Sequence, residues 1–150
     1  PAWHVDEFGG ASAEEVERAG GGWAWQTMQV RKWAARAATE LVVVDGQARP
    51  TDILTIAKSV GLNAVHIVLI DCNHAERRRR LLEERRQPDL DQLDMYAWAA
   101  YLKGQADALP EVEVIDTTGA PLEASAALLA ASIARFSASI GLSLRKRYPE

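Results

Sequence analysis

Two kinds of apolar pattern alternate along this chain. One is the short unbroken run. Leu41, Val42, Val43 and Val44 stand together and lead into Asp45, Gly46, Gln47, Ala48, Arg49 and Pro50, and Val65 to Ile70 form a second run that closes on Asp71. β-Branched side chains suit a pleated surface, and an apolar run without alternation suits a strand covered on both faces. Ala2 to Glu7 reads as a shorter strand ending in two acids. Val112 to Asp116 alternates, as a half-exposed strand at a sheet edge does.

The other pattern is the stripe at helical spacing. Ser12 can cap a short helix to about Ala19, with Glu14 and Glu15 favourable near its N-terminus. Gly20-Gly21-Gly22 reads as a hinge or loop, because a phosphate cradle would need a lysine and a preceding strand. Trp23 to Ala38 predicts a helix with Trp23, Thr27, Val30, Ala34 and Ala37 on one face and Trp25, Gln29 and Trp33 on a second. Tryptophans on two faces either pack under a loop or wall a substrate pocket. Pro50, Thr51 and Asp52 open a helix through Ile53, Ile56, Ala57 and Val60, which Gly61 and Asn63 stop. Asn73 caps a very basic helix that ends at Pro88. Asp89 to Asp91 restart the chain into a helix carrying Leu93, Ala97 and Ala100 beside Met95, Trp98 and Leu102, closed by Pro110. After the turn Thr117-Thr118-Gly119, Pro121 begins a last helix with Leu122, Ala126, Leu129, Ile133, Phe136 and Ile140 on its core-facing stripe.

Strands that alternate with helices imply right-handed crossovers and an α/β fold, a three-layer parallel sheet with helices on both faces. Residues 1–141 read as one such domain, and 142–150 as a basic C-terminal tail. At 150 residues, 48% of them apolar, the chain can bury a sizeable core. The net charge of −4 argues against a nucleic-acid coat protein, although six of the thirteen arginines crowd between Arg77 and Arg86. The single cysteine, Cys72, excludes an internal disulfide framework and a zinc-ribbon spacing and is compatible with a reducing cytoplasm. No apolar run approaches the ~20 residues of a membrane span.

Ligands of open parallel sheets sit outside the carboxyl ends of the strands, which directs attention to Asp45, Gly46 and Arg49. The plain alternative is a buried strand and an ordinary turn. His66, inside its apolar run, reads as a satisfied core residue. Among the arginines, consecutive side chains of a helix point about 100° apart, so they cannot share one ligand. Arg78 with Arg85, or Arg79 with Arg86, fall on one face at i,i+7, and Glu83 and Glu84 can pair with others. A solvated charged face accounts for most of them. Two or three forks turned toward a polyphosphate would suffice for function.

Several segments in order resemble the small P-loop kinases. Val42 to Pro50 resembles the Asp-Gly-Phe-Pro-Arg element of adenylate kinase and its relatives. Arg80-Leu81-Leu82-Glu83-Glu84-Arg85 resembles their short arginine-bearing lid, here about residues 77–90. Val114-Ile115-Asp116-Thr117-Thr118-Gly119 resembles the last strand and turn that border the nucleotide base, and Val5-Asp6-Glu7 the acidic end of the strand after the phosphate-loop helix. The resemblance spans most of residues 3–140. It implies a P-loop NTPase-like sheet and ATP-dependent phosphoryl transfer, with Mg2+, to a nucleotide or similar small metabolite in the cytoplasm. It implies catalytic roles for Asp6, Arg80 and Arg85. The acceptor would fall to Asp45, Gly46, Arg49 and Trp25, the nucleotide to Thr117, Thr118 and Arg86, and no side chain is assigned as a direct metal ligand.

The family's defining G-x-x-x-x-G-K-[ST] loop is absent, since none of Lys32, Lys58, Lys103 and Lys146 follows a glycine. That loop cradles the phosphates, and its strand lies centrally in the family's sheet. The expectation is therefore a sheet lacking its central first strand, with some 30 residues of strand, loop and helix preceding Pro1 in the natural gene. The alternative is a nucleotide-binding or protein-interaction module of the same fold without turnover. A metal-dependent hydrolase built on Asp6, Asp71, Cys72 and His74 is a third reading, but their spacing matches no ligand pattern.

Overall fold

The computed structural model describes residues 12–37, 40–46 and 48–141, together with the backbone of 2–5. Asp6, Glu7, Ala38, Gln47 and the tail 142–150 lie outside the described residues. The chain divides into two compact units, residues 1–65 and 66–150. Each carries a two-stranded parallel sheet. The α/β class and the parallel sense agree with the pattern reading. The described strands form two separate parallel pairs, with no strand joining them among the described residues.

In the first unit β1 (Ala2–Val5) pairs with β2 (Val43–Gly46) in the register Ala2↔Val43 to Val5↔Gly46. The strand is thus displaced from its apolar run. Leu41 and Val42 precede it, and Asp45 and Gly46, expected just beyond it, are its last residues. A four-residue partner, not the apolar run, sets these limits. Val44 is 37% exposed, so β2 is not covered on both faces.

Helix α1 (Ala13–Arg18) begins with a capping box: Glu15 N–H donates to Ser12 Oγ at 3.2 Å and Ser12 N–H to Glu15 Oε2 at 2.8 Å. Gly20 and Gly21 both have φ of +97°, a backbone that side-chain-bearing residues rarely adopt, which makes this stretch the turn into α2 (Gly22–Ala37). Val30 of α2 packs with Ile56 and Ala57 of α3 (Pro50–Ser59), and Trp33, Ile53, Val60, Leu62 and Val65 close around them. The two expected stripes of α2 therefore merge into one face at Val30 and Trp33, while Trp23 is 54% exposed. Gly61, at φ +78°, lets Leu62 N–H reach back to Ala57 O at 2.9 Å and so satisfies a terminal carbonyl of α3.

In the second unit β3 (Ile67–Asp71) pairs with β4 (Val112–Asp116) from Ile67↔Val112 to Asp71↔Asp116. Val112 and Ile115 are both buried and, three residues apart in a strand, point to opposite faces. Val114, on the face of Val112, is 40% exposed, so that face of β4 is only partly covered, as the alternating pattern leads one to expect. The other face meets α6 (Leu122–Ser139), where Arg135 donates to Glu113 Oε1 and Ser132 to Glu113 Oε2 at 2.6 Å. His66, just ahead of β3, places Nε2 2.9 Å from Ser132 Oγ and 3.2 Å from Glu113 Oε2 and stacks on Phe136. It is the satisfied residue the sequence suggested. The buried face of α6 includes the fully buried Ser132 and Ser137, while Leu122, expected in the core, is 79% exposed.

Helix α4 (His74–Arg79) is capped by Asn73 Oδ1, which accepts from Glu76 N–H at 2.9 Å. It runs into a π-helical turn over Arg80–Glu84 and, after a single 3-10 turn at Pro88–Leu90, the chain enters α5 (Leu93–Ala108). Leu93, Ala97 and Ala100 of α5 face outward, and Met95, Trp98 and Leu102 are the more buried stripe. Among the described residues no helix is long and apolar enough to cross a membrane.

Candidate functional site

At the carboxyl end of the β3–β4 pair the chain begins to spend on itself four of the six arginines of its basic run. Thr117 N–H donates to Asp71 O at 2.8 Å and its hydroxyl to the same oxygen at 2.9 Å. Arg80 then grips Thr117 twice, Nη1 to Oγ1 at 3.0 Å and Nη2 to the carbonyl at 2.6 Å, while its Nε donates to Glu76 Oε1 at 2.7 Å. Arg77 donates to Asp71 Oδ1 at 2.5 Å and to Cys72 O at 3.0 Å. Arg79 donates to both oxygens of Glu76 at 2.9 Å and to Glu84 at 2.8 Å. Hydrogen bonds from Arg79, and then from Arg80, hold the Glu76 carboxyl down to about 2.

Thr117 is 2% exposed and its hydroxyl and carbonyl are both engaged. In this conformation its hydroxyl is not presented outward; it fastens the end of α4, through Arg80, to the strand tip. Arg80 has the same fastening geometry, which separates it from the catalytic role implied by the resemblance. Thr118 is exposed; its Oγ1 accepts from Asn73 N–H at 2.8 Å and its own N–H donates to Asp116 Oδ1 at 2.8 Å. Those bonds from Thr118 hold the Asp116 carboxyl below its ordinary value. Burial pushes the Cys72 thiol up, the opposite of what a reactive thiolate needs.

The remaining two arginines differ. Leaving α-helical geometry at Arg80 brings Arg85 N–H to Arg80 O at 2.9 Å, a bond across five residues, and Arg86 follows at φ +54°. The expected i,i+7 faces of Arg78 with Arg85 and Arg79 with Arg86 assume 3.6 residues per turn, and the wider turn cancels that phase. Arg85 and Arg86 are exposed, and neither makes a side-chain hydrogen bond or ion pair to any described residue.

The segment that carries them is closed at its base. Arg78 Nε donates to Asp91 Oδ2 at 2.9 Å, Tyr96 Oη donates to the other oxygen of the same carboxylate, and the Tyr96 ring lies 4.3 Å from that of His74. None of these three partners of the Arg78 clamp was singled out from sequence in that role. The only signal is an acid placed beyond Pro88 and one turn before Tyr96. The result is a loop from Arg79 to Leu90 with a fixed stem and two uncommitted guanidiniums near its tip.

In the first unit the strand tip is simpler. Asp45 and Gly46 are exposed at the end of β2, beside His4 and Val5 in the register of the pair. Arg49 is exposed at the N-cap of α3, its backbone extended at φ −75° and ψ 121°, and Pro50 is the first helical residue. Trp25 is half-buried near the start of α2. Asp6 lies outside the described residues. Asp45, Gly46 and Arg49 thus share one strand-to-helix connection, and Arg80, Thr117 and Thr118 share the tip of the other pair.

Among the described residues no three His, Cys, Asp or Glu side chains gather to hold a metal ion. At the β3–β4 tip the two carboxylates are turned to Arg77 and to Thr118, so that donor set does not fit Mg2+. No protein-family model, curated protein or solved structure matches this chain.

Proposed function

We propose that this chain contributes the acceptor and lid parts of an ATP-dependent small-molecule kinase of the P-loop type. The observation that carries the reading is the division of labour within the basic run. Four arginines build and brace a loop, and Arg85 and Arg86 are held out from it with no side-chain partner among the described residues. Phosphoryl transfer is largely positioning and charge stabilisation, and a pair of uncommitted forks on a loop anchored at the carboxyl end of a parallel pair suits that task. In this reading Arg85 and Arg86 contact nucleotide phosphates, and Arg80, through Thr117, positions the loop that bears them. Asp45, Gly46 and Arg49 receive the acceptor at the other strand tip, where Gly46 allows close backbone approach. ATP and its Mg2+ would be bound chiefly through the phosphates.

The test is ATP binding by calorimetry at low salt. Removing both guanidiniums, in Arg85→Ala with Arg86→Ala, is expected to weaken affinity about tenfold or more, since charged hydrogen bonds contribute roughly 1.5–3 kcal/mol each. Unchanged affinity, or no binding by the parent chain, sinks the proposal. The sequence itself favours a second reading, for these 150 residues contain no G-x-x-x-x-G-K-[ST] loop. ATP binding without ADP formation across nucleoside monophosphates and hydroxylated metabolites would assign a nucleotide-binding module instead of a kinase.

A further inference from the structure

The first unit holds an open cavity of about 540 Å3 that phosphoryl transfer does not use. Its walls come from the end of α2, at Arg31, Ala34, Ala35 and Ala37, and from the chain just past α3, at Val60 and Leu62. The volume is that of a site for a small organic molecule. The ten residues of α3, about 15 Å of helix, separate it from Arg49. It is therefore distinct from the Asp45–Arg49 connection.

The cavity has a local cause. Alanines give α2 a low wall, and Gly61 turns the chain at φ +78° so that Leu62 folds back toward Ala57. A Cβ added at Gly61 would meet nothing within 4 Å, so the space in front of the turn is open. The carbonyls at the end of α3 are already engaged. Ala57 O accepts from Leu62 N–H at 2.9 Å, and Lys58 O accepts from Gly61 N–H at 3.2 Å.

Among the described residues no acid lines the cavity, and Arg31 is its one charged wall. Arg31 is exposed, and its side chain makes no hydrogen bond or ion pair to any described residue. Arg36, further along the same helix, is treated differently: its Nε donates to Glu40 Oε1 at 2.9 Å. The walls thus offer apolar contact and a single unspent guanidinium.

We propose that this cavity binds an aliphatic monocarboxylate, its head group on Arg31 and its chain against Ala34, Ala35, Val60 and Leu62. The lone guanidinium decides the head group. Its planar fork matches the two oxygens of a carboxylate, whereas a phosphate calls for several cations or a nest of backbone N–H groups. The walls decide the body. They carry alanine, valine and leucine and no ring to stack on, which suits an alkyl chain whose burial is favourable in proportion to its area. The site needs neither ATP nor Arg85 and stands or falls independently of the kinase reading.

The probe is octanoate, titrated into the whole chain with methyl NMR as the readout. Saturable shifts are expected at Ala34, Ala35, Val60 and Leu62 and not in β3. Butyrate is expected to bind at least about tenfold more weakly, since each buried methylene contributes roughly fourfold. Octanol, with the same body and no charge, is expected to lose about tenfold or more, and so is octanoate on Arg31→Ala. Arg31→Lys, which keeps the charge without the fork, should fall between Arg31→Ala and the parent. Arg31 is exposed, so an unchanged spectrum elsewhere is expected to show that both variants fold. The proposal is overturned if millimolar octanoate gives no saturable shift. Equal binding of octanol, or of octanoate to Arg31→Ala, would leave a plain apolar groove and overturn it as well. Inorganic phosphate shifting the same methyls as strongly as octanoate would make this a general anion site, against the proposal.

Discussion

Arg77 to Arg80 and the pair Arg85–Arg86 lie within ten residues of one another, yet the fold treats them as different materials. The first four are half-buried or braced, and each donates to a named oxygen of the chain. Arg80 alone closes three such bonds, two of them on Thr117 and one on Glu76. The last two stand in water on a turn that has left α-helical geometry. The difference teaches that the number of arginines in a run says little about its function. What matters is which of them the protein leaves unspent.

The hardest blow to that contrast is Arg80→Ala. It removes both donors from the Thr117 clamp and leaves a buried carbonyl to find another partner. Losing charged hydrogen bonds of this kind is expected to cost about 2–3 kcal/mol, read from urea unfolding midpoints. Arg85→Ala, at an exposed residue with no side-chain partner among the described residues, is expected to stay within about 0.5 kcal/mol of the parent. Equal losses for the two would erase the distinction between bracing and uncommitted arginines.

Much of this arrangement is local, and the local part was legible. Asn73 before a basic run and Gly61 after an apolar stripe are cap signals, and both work as caps. Strands at Ile67–Asp71 and Val112–Asp116 follow from composition over a few residues. What escaped is set by distant partners or by broken periodicity. Ser132 is buried because Glu113 and His66, 19 and 66 residues away, complete its hydrogen bonds, and no helical stripe announces that. The i,i+7 faces of Arg85 and Arg86 do not follow, because the Arg80–Glu84 turn departs from the 3.6-residue period that such faces need. Strand β2 begins late because its pairing with β1 sets its limits, leaving Leu41 and Val42 outside.

An intermediate effect is expected from acid, through Glu76, which receives both Arg79 and Arg80. Its carboxyl is held down to about 2 from an ordinary 4.5, chiefly by the Arg79 hydrogen bonds. A depressed folded-state value means that the contribution is fully present above 4.5 and is lost as pH falls toward 2. Thermal midpoints followed down that range should fall more steeply for the parent than for Glu76→Gln, which has no charge to lose. Parallel curves would show that Glu76 does not anchor the bracing arginines. Glu113, also held below its ordinary value through Ser132 and Arg135, titrates in both proteins and cancels in the comparison.

The smallest effect probes the uncommitted side of the contrast. Arg86 holds φ at +54°, where an L side chain crowds its own backbone. Arg86→Gly relieves that crowding but gains freedom in the unfolded chain, so a net stabilisation of only about 0.5 kcal/mol is expected. Arg86→Asn, which tolerates the left-handed region, should be close to neutral. Both variants lose the guanidinium, and both are expected to weaken ATP binding to a similar degree. Stability and affinity would then move in opposite directions at one position, as they must if the strained backbone is retained for what the side chain contacts. If Arg86→Gly instead destabilises the chain by as much as Arg80→Ala, Arg86 is a bracing residue after all, and the two halves of the basic run do the same work.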